Sequence, residues 1–254
     1  MPGFNIGHPV SDVAFLYLRY SISKTSKIVL LAGVQSASVR TMTLGNVGKA
    51  SQAEFAGKRK LLLVPHVVAT RDDAALHALV SAYWEEAIGQ VRKLEASFGP
   101  VRHVFHEGSV GQGSDAAEAL ERGNPVGFPF IQQTLERGAV LEPTEDPEAL
   151  GETLDLHRCL AVVQSSHAVL HKLVDWFEES RQRRYSGIAE RIDRAMASND
   201  AALLVISPDH EVQFAKDIEV IYVVPPALDK INRWLRDHQP VEASQETSIG
   251  EHSG

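Results

Sequence analysis

At 254 residues, with 44% apolar content, the chain can bury the core of one large domain or of a domain with a small appendage. A single cysteine, Cys159, excludes an internal disulfide framework and a cysteine-built zinc knuckle, and reads as a small buried residue in a reducing cytoplasm. The net charge of −8 argues against a domain that binds nucleic acid as a whole, and no run of about 18 apolar residues or secretory signal is present, so a cytoplasmic protein without membrane attachment is expected.

The charge is unevenly spread. Residues 1–60 hold eight Lys/Arg and two acids, a balance of +6, which leaves −14 on the remainder. Residues 1–58 are therefore set apart as a basic N-terminal appendage of unassigned role. A basic arm can neutralise phosphates without reading sequence. Its serine-rich, acid-poor composition resembles a transit peptide, but arginine is scarce and KIVLLAGV (Lys27–Val34) looks like a strand. GNVGKAS (Gly45–Ser51) is not a phosphate loop, because Thr43 stands where the first glycine belongs and Ala50 follows the lysine.

The domain is expected over residues 59–238. LLLVPHVVA (Leu61–Ala69) is a short strand in which Pro65, lacking an N–H, marks an edge, a bulge or an early end. From Asp72 to Phe98, Leu76, Leu79, Val80, Tyr83, Ala87, Val91 and Leu94 recur at three- and four-residue steps, predicting a helix capped by Asp72 or Asp73 and stopped at Gly99-Pro100. VRHVFHEG follows as a second strand, completing a βαβ unit and making the class α/β with a mostly parallel sheet flanked by helices. A helix over Phe128–Arg137 stops at Gly138, AVLE is a short strand, and PEALGETL opens another helix with Pro147 in its first turn. HRCLAVVQ (His157–Gln164) fits a third strand or a buried helix equally. After a long helix over Ser166–Ala197, AALLVISPDHEVQF reads as two strands, and DIEVIYVV leads through Pro225-Pro226 into a final helix; a C-terminal strand pair and final helix thus close the domain. Residues 239–254 read as a disordered tail.

HVFHE, ERIDRAM, DHEVQFAKDIEVIYVVPPALD and INRWLRD together resemble an uncharacterised bacterial α/β protein family over about Leu61–Asp237. The resemblance implies that this span is the domain, and no activity.

Several groups compete as sites. His167 and His171 in HAVLH share a helix face with Asp175 and Glu178, as metal-binding helices require, but that face points away from the apolar stripe and Ala168 stands where HExxH has its glutamate. RQRRY (Arg181–Tyr185) is interleaved with Glu178, Glu179, Glu190 and Asp193, so pairing along the helix reduces its field. His210, Glu211 and Asp217 lie near a turn without an evident partner.

HVFHEGSVGQGSD is best placed, because a strand end, glycines and a helix start coincide where parallel sheets bind ligands. His106 and Glu107 are expected as the catalytic acid/base groups, His106 the better placed of the two. Gly108, Gly111, Gly113 and Ser114 are expected to hold an anion, Ser114 or Asp115 to cap the helix, and His66 to approach if its strand is adjacent. Against an anion stand the unfamiliar GxxGxG spacing, two nearby acids and the lack of a lysine. The reading is an enzyme of hydrolase type acting on a small anionic substrate; metal assistance through His66, His103 or His106 stays open, and no cofactor or oligomeric state is specified. The alternative is a non-catalytic regulatory protein that meets RNA or a ribosome through its basic N-terminal segment or arginine-bearing helix.

Overall fold

The computed structural model describes residues 57–162 and 165–238; nearly all of the basic appendage, and the tail over 239–254, lie outside this range. The unbroken apolar run Leu61–Val64 belongs to β1 (Arg59–Pro65), every residue of which is buried. A strand covered on both faces has no polar side to present, which is why parallel-sheet strands read as continuous apolar runs. With β2 (Val101–His106), β3 (Val140–Leu141), β4 (Ala201–Ile206) and β5 (Ile218–Tyr222), β1 forms one five-stranded sheet in the order β3-β2-β4-β1-β5. All four pairings are parallel.

Six helices accompany the sheet among the described residues: α1 (Ala74–Phe98), α2 (Gly113–Gly123), α3 (Phe128–Glu136), α4 (Pro147–Ala161), α5 (His167–Ala195) and α6 (Ala227–Asp237). Alternation along the strands sends Leu62, Val64, Val104, Leu203 and Val205 into one core with α1, α3 and α6. Leu61, Leu63, Phe105, Leu204 and Ile206 fill the other, against Tyr185, Ile188 and Ile192 of α5. The stripe on α1 buries Leu76, Val80, Tyr83, Trp84, Ala87 and Val91. Its start is fixed by Asp73, whose carboxylate accepts from the Leu76 N–H at 2.9 Å, and its end by Gly99 at φ 98°. α4 lies on α5, where the Thr153 and Ser180 hydroxyls meet at 3.0 Å in a buried contact.

Of the two readings open for HRCLAVVQ, the helix holds over His157–Ala161, which closes α4 because Leu150, Thr153 and Leu154 already give the segment a helical buried stripe. PDHEVQF forms no strand; it is a loop that drops Val212 into the second core between β4 and β5. The C-terminal strand pair, β4 and β5, straddles β1: both pair with it in parallel, one on each side. β1 and β2 are likewise separated by β4, so the strand ends carrying His66 and His106 flank a third, which ends at Ile206.

Candidate functional site

The carboxyl ends of β1, β4 and β2 lie side by side, and backbone bonds continue beyond the strands. The His66 N–H donates to the Ile206 carbonyl and the Glu107 N–H to the Val205 carbonyl, both at 2.8 Å. The segments carrying His66, Glu107 and Ser207 are thereby held at one edge. Although their strands are not neighbours, the His66 and His106 rings meet edge to face, with centroids 4.6 Å apart. Each residue is only 4% exposed.

Their hydrogen bonds define the tautomers. His106 Nδ1 lies 2.6 Å from the Glu107 carbonyl oxygen, which only accepts, so Nδ1 carries the proton and Nε2 presents a lone pair. Asn124 accepts from the Gly127 N–H with Oδ1 at 3.0 Å, turning its amide nitrogen toward the Val67 carbonyl at 3.1 Å and His66 Nε2 at 3.4 Å. His66 Nε2 is then the acceptor and Nδ1 bears the hydrogen. Among the described residues that buried Nδ1 has no hydrogen-bond partner. Burial lowers the His66 pKa to about 3, with the neighbouring His106 adding to the effect against a smaller pull from Glu107. Burial likewise lowers His106 to about 4, opposed by its bond to the Glu107 carbonyl and by the Glu107 charge. Both imidazoles are therefore neutral at pH 7.

Beside them sits an ion-pair network that the sequence reading did not anticipate. Arg184 of α5 donates to Glu107 Oε1 at 2.9 Å and to Glu145 Oε2 at 3.0 Å. Glu107 Oε2 accepts from the Ser207 N–H at 2.7 Å and hydroxyl at 2.6 Å. Burial alone would raise the Glu107 pKa, but Arg184 and the two Ser207 donors hold it below the ordinary carboxylate value. Both Glu107 oxygens are thus engaged, and its carboxylate is held as an anion at the strand ends. Two carboxylates and one guanidinium leave one net negative charge in this network.

The glycine loop is also committed internally. The Gly108 N–H donates to Glu145 Oε1 at 3.2 Å, and the Ser109 carbonyl accepts from the Thr144 and Glu145 N–H groups at 2.9 and 2.8 Å. Of the four loop residues expected to hold an anion, Gly108 has its N–H on the protein's own Glu145 carboxylate. Gly113 and Ser114 are exposed, and the Ser114 hydroxyl meets Asp115 at 3.2 Å. Helix α2 begins at Gly113 after Gln112 and has no side-chain cap, in place of the expected cap by Ser114 or Asp115. Gly111 and Gly113 serve the turn into α2, Gly113 at φ 74°.

The remaining candidates are dispersed. His103 bonds Glu142 at 2.8 Å on the strand side opposite Val104 and lies 3.4 Å from Asp200. His210, half-buried in the loop after β4, has a lowered pKa from burial and is near enough to Glu107 to feel its charge. Asp217 is at the other end of the sheet, paired with Arg59 at 2.8 Å. His167 and His171 are exposed, and among the described residues no group of three or more His, Cys, Asp or Glu is arranged to hold a metal. The arginines of RQRRY are engaged: Arg181 with Glu178 and Glu211, Arg183 with Glu152, Arg184 in the buried network. Cys159 is exposed, contrary to its expected burial.

Fold and site define a parallel α/β protein with two neutral histidines at the carboxyl edge of its central strands. No protein family, curated protein or solved structure matches the chain, so the site is read from its own residues.

Proposed function

We propose that the protein is an enzyme that hydrolyses a small molecule at the carboxyl edge of the sheet, with His106 as the general base and His66 as a hydrogen-bond donor to the reacting group. The observation that carries this reading is the contact between two buried imidazoles of the same Nδ1–H tautomer, His106 with the lone pair of Nε2 free of its Glu107 bond and His66 with an Nδ1–H that has no partner among the described residues. Water held at His106 Nε2 transfers a proton to it as its oxygen attacks the substrate carbonyl. The negative charge that builds on the carbonyl oxygen is met by His66 Nδ1–H. The imidazolium formed at His106 keeps its Nδ1–H on the Glu107 carbonyl and is stabilised by the nearby Glu107 carboxylate; its new proton then passes to the departing oxygen or nitrogen. Glu107 acts by its fixed charge, and Arg184 and Ser207 hold it in place.

The test is hydrolysis of p-nitrophenyl acetate, an uncharged activated ester, by the full chain. His106→Asn is expected to lower kcat/KM by about 10²–10⁴-fold, the range of general acid–base catalysis, while leaving the circular dichroism spectrum unchanged. Turnover at the buffer rate in the native protein, or equal turnover in the folded variant, would overturn the reading.

A further inference from the structure

We infer that the pocket between the end of α5 and the segment after β3 binds a free α-amino acid with a branched apolar side chain. Phe105 of β2, Glu142 and Pro143 after β3, and Arg191, Arg194 and Ala195 of α5 line this pocket, which encloses about 220 Å³. An apolar cavity of ~150 Å³ takes up benzene, so an isobutyl group has room here. Phe105 belongs to the core on the α5 side of the sheet, and neither His66 nor His106 lines the pocket. The inference is therefore independent of the proposed hydrolysis.

The ligand class follows from what already engages the three charged side chains. Arg191 is committed: its guanidinium donates to Asp146 Oδ2 at 3.1 Å and to the Gly187 carbonyl at 3.2 Å, so it serves as a wall. Glu142 is half committed. Its Oε1 accepts from His103 Nδ1 at 2.8 Å, while Oε2 has no partner among the described residues. Arg194, in the last turn of α5, pairs with no acid among the described residues, although Glu142 lines the same pocket. One cation and one carboxylate oxygen thus border a common apolar floor without neutralising each other. The three parts of an α-amino acid answer them in turn. Its ammonium donates to Glu142 Oε2, its carboxylate accepts from Arg194, and its side chain fills the space over Phe105, Pro143 and Ala195. A ligand charged at one end only meets one partner and leaves the other charge unanswered.

L-Leucine, isocaproate and isoamylamine share the isobutyl group and differ in which charged groups they carry. In the full chain with ¹³C-methyl-labelled alanine, L-leucine is expected to shift the Ala195 methyl signal, and each of the other two to need at least tenfold higher concentration for the same shift. Arg194→Gln is expected to weaken L-leucine at least tenfold and to leave isoamylamine unchanged, since the amine has no carboxylate to lose. Glu142→Gln should weaken L-leucine likewise and spare isocaproate. Arg194 is exposed, and the glutamine at 142 keeps an oxygen for His103, so both variants are expected to retain the native circular dichroism spectrum. Equal binding of the three probes, or variants that bind L-leucine as the native chain does, would overturn the ligand class. An Ala195 methyl unmoved by L-leucine at its solubility limit would overturn the site, and either failure leaves the histidine pair and the proposed function untouched.

Discussion

The two buried histidines make both stability and rate depend on pH. In the folded protein His66 and His106 have values of about 3 and 4, below the 6.5 of an ordinary imidazole. As pH falls the unfolded chain therefore takes up these two protons first. The stability linked to the neutral rings is fully present above about 6.5 and declines as pH drops through 6.5 toward 4, reaching a loss of about 2 kcal/mol per ring at pH 5. Urea denaturation at pH 7.5 and pH 5 should register that fall, and His66→Gln, which removes one of the two titrating rings, should reduce it by about half; an unchanged fall would show that His66 is not buried neutral. Rate should follow a different window. His106 must be unprotonated to accept a proton, so kcat/KM for p-nitrophenyl acetate should rise as pH passes about 4 and stay level from pH 5 to 7. A profile that climbs with a midpoint near 6.5 would indicate an exposed histidine at work instead.

At the scale of elements, what could be read in advance was what periodicity carries. The apolar run of β1, the stripe of α1 and the glycine stops are local signals, so strand, helix and the parallel class were legible. Pairing order was not, because β4 inserts between β1 and β2 from about 100 residues away along the chain and nothing in either strand's composition marks it. The site divides in the same way. His106 was legible from its position at a strand end before glycines, whereas Arg184 looked like one member of a solvated basic run. Its signal lay in spacing: Ser180, Arg184, Ile188 and Ile192 fall on one line of α5, which places an arginine inside the buried stripe. Asn124 left no such trace, since its role depends on the turn into α3 that aims its amide at His66. That turn explains Gly127: a Cβ there would lie 2.4 Å from Asn124 Nδ2 and 2.7 Å from the Trp84 ring. Gly127→Ala should destabilise the protein by about 1–3 kcal/mol through overpacking and should shift the His66 ring resonances as the amide is pushed aside. A variant with native stability and an unmoved His66 signal would show that the turn and the ring are not coupled.

Across the whole molecule, two arginines tie the sheet to its helices at opposite ends. At the amino end, Arg59 of β1 reaches Asp217 ahead of β5 at 2.8 Å and both the carboxylate and the carbonyl of Asp193 on α5, at 2.6 and 2.8 Å. At the carboxyl end, Arg184 of the same helix reaches Glu107 after β2 and Glu145 before α4. α5 is thus held to the sheet at both ends of the strands, about 20 Å apart for six residues at ~3.3 Å each. The two ties differ in what their loss exposes. Arg184→Met leaves two carboxylates at 2% and 0% side-chain exposure without their counter-ion, a change that costs about 3–5 kcal/mol for a buried pair. Arg59→Ala leaves Asp217 and Asp193 at 65% and 54% exposure, where water replaces the lost partner, so its cost should be clearly smaller. Because the two sites share no partner, a rigid α5 predicts that the double variant loses the sum of the single losses within about 0.5 kcal/mol in urea denaturation. If α5 instead peels from the sheet once either end is released, the second substitution will cost much less than it does alone, and the helix must then be treated as one cooperative latch through which the Arg184 network senses the far end of the sheet.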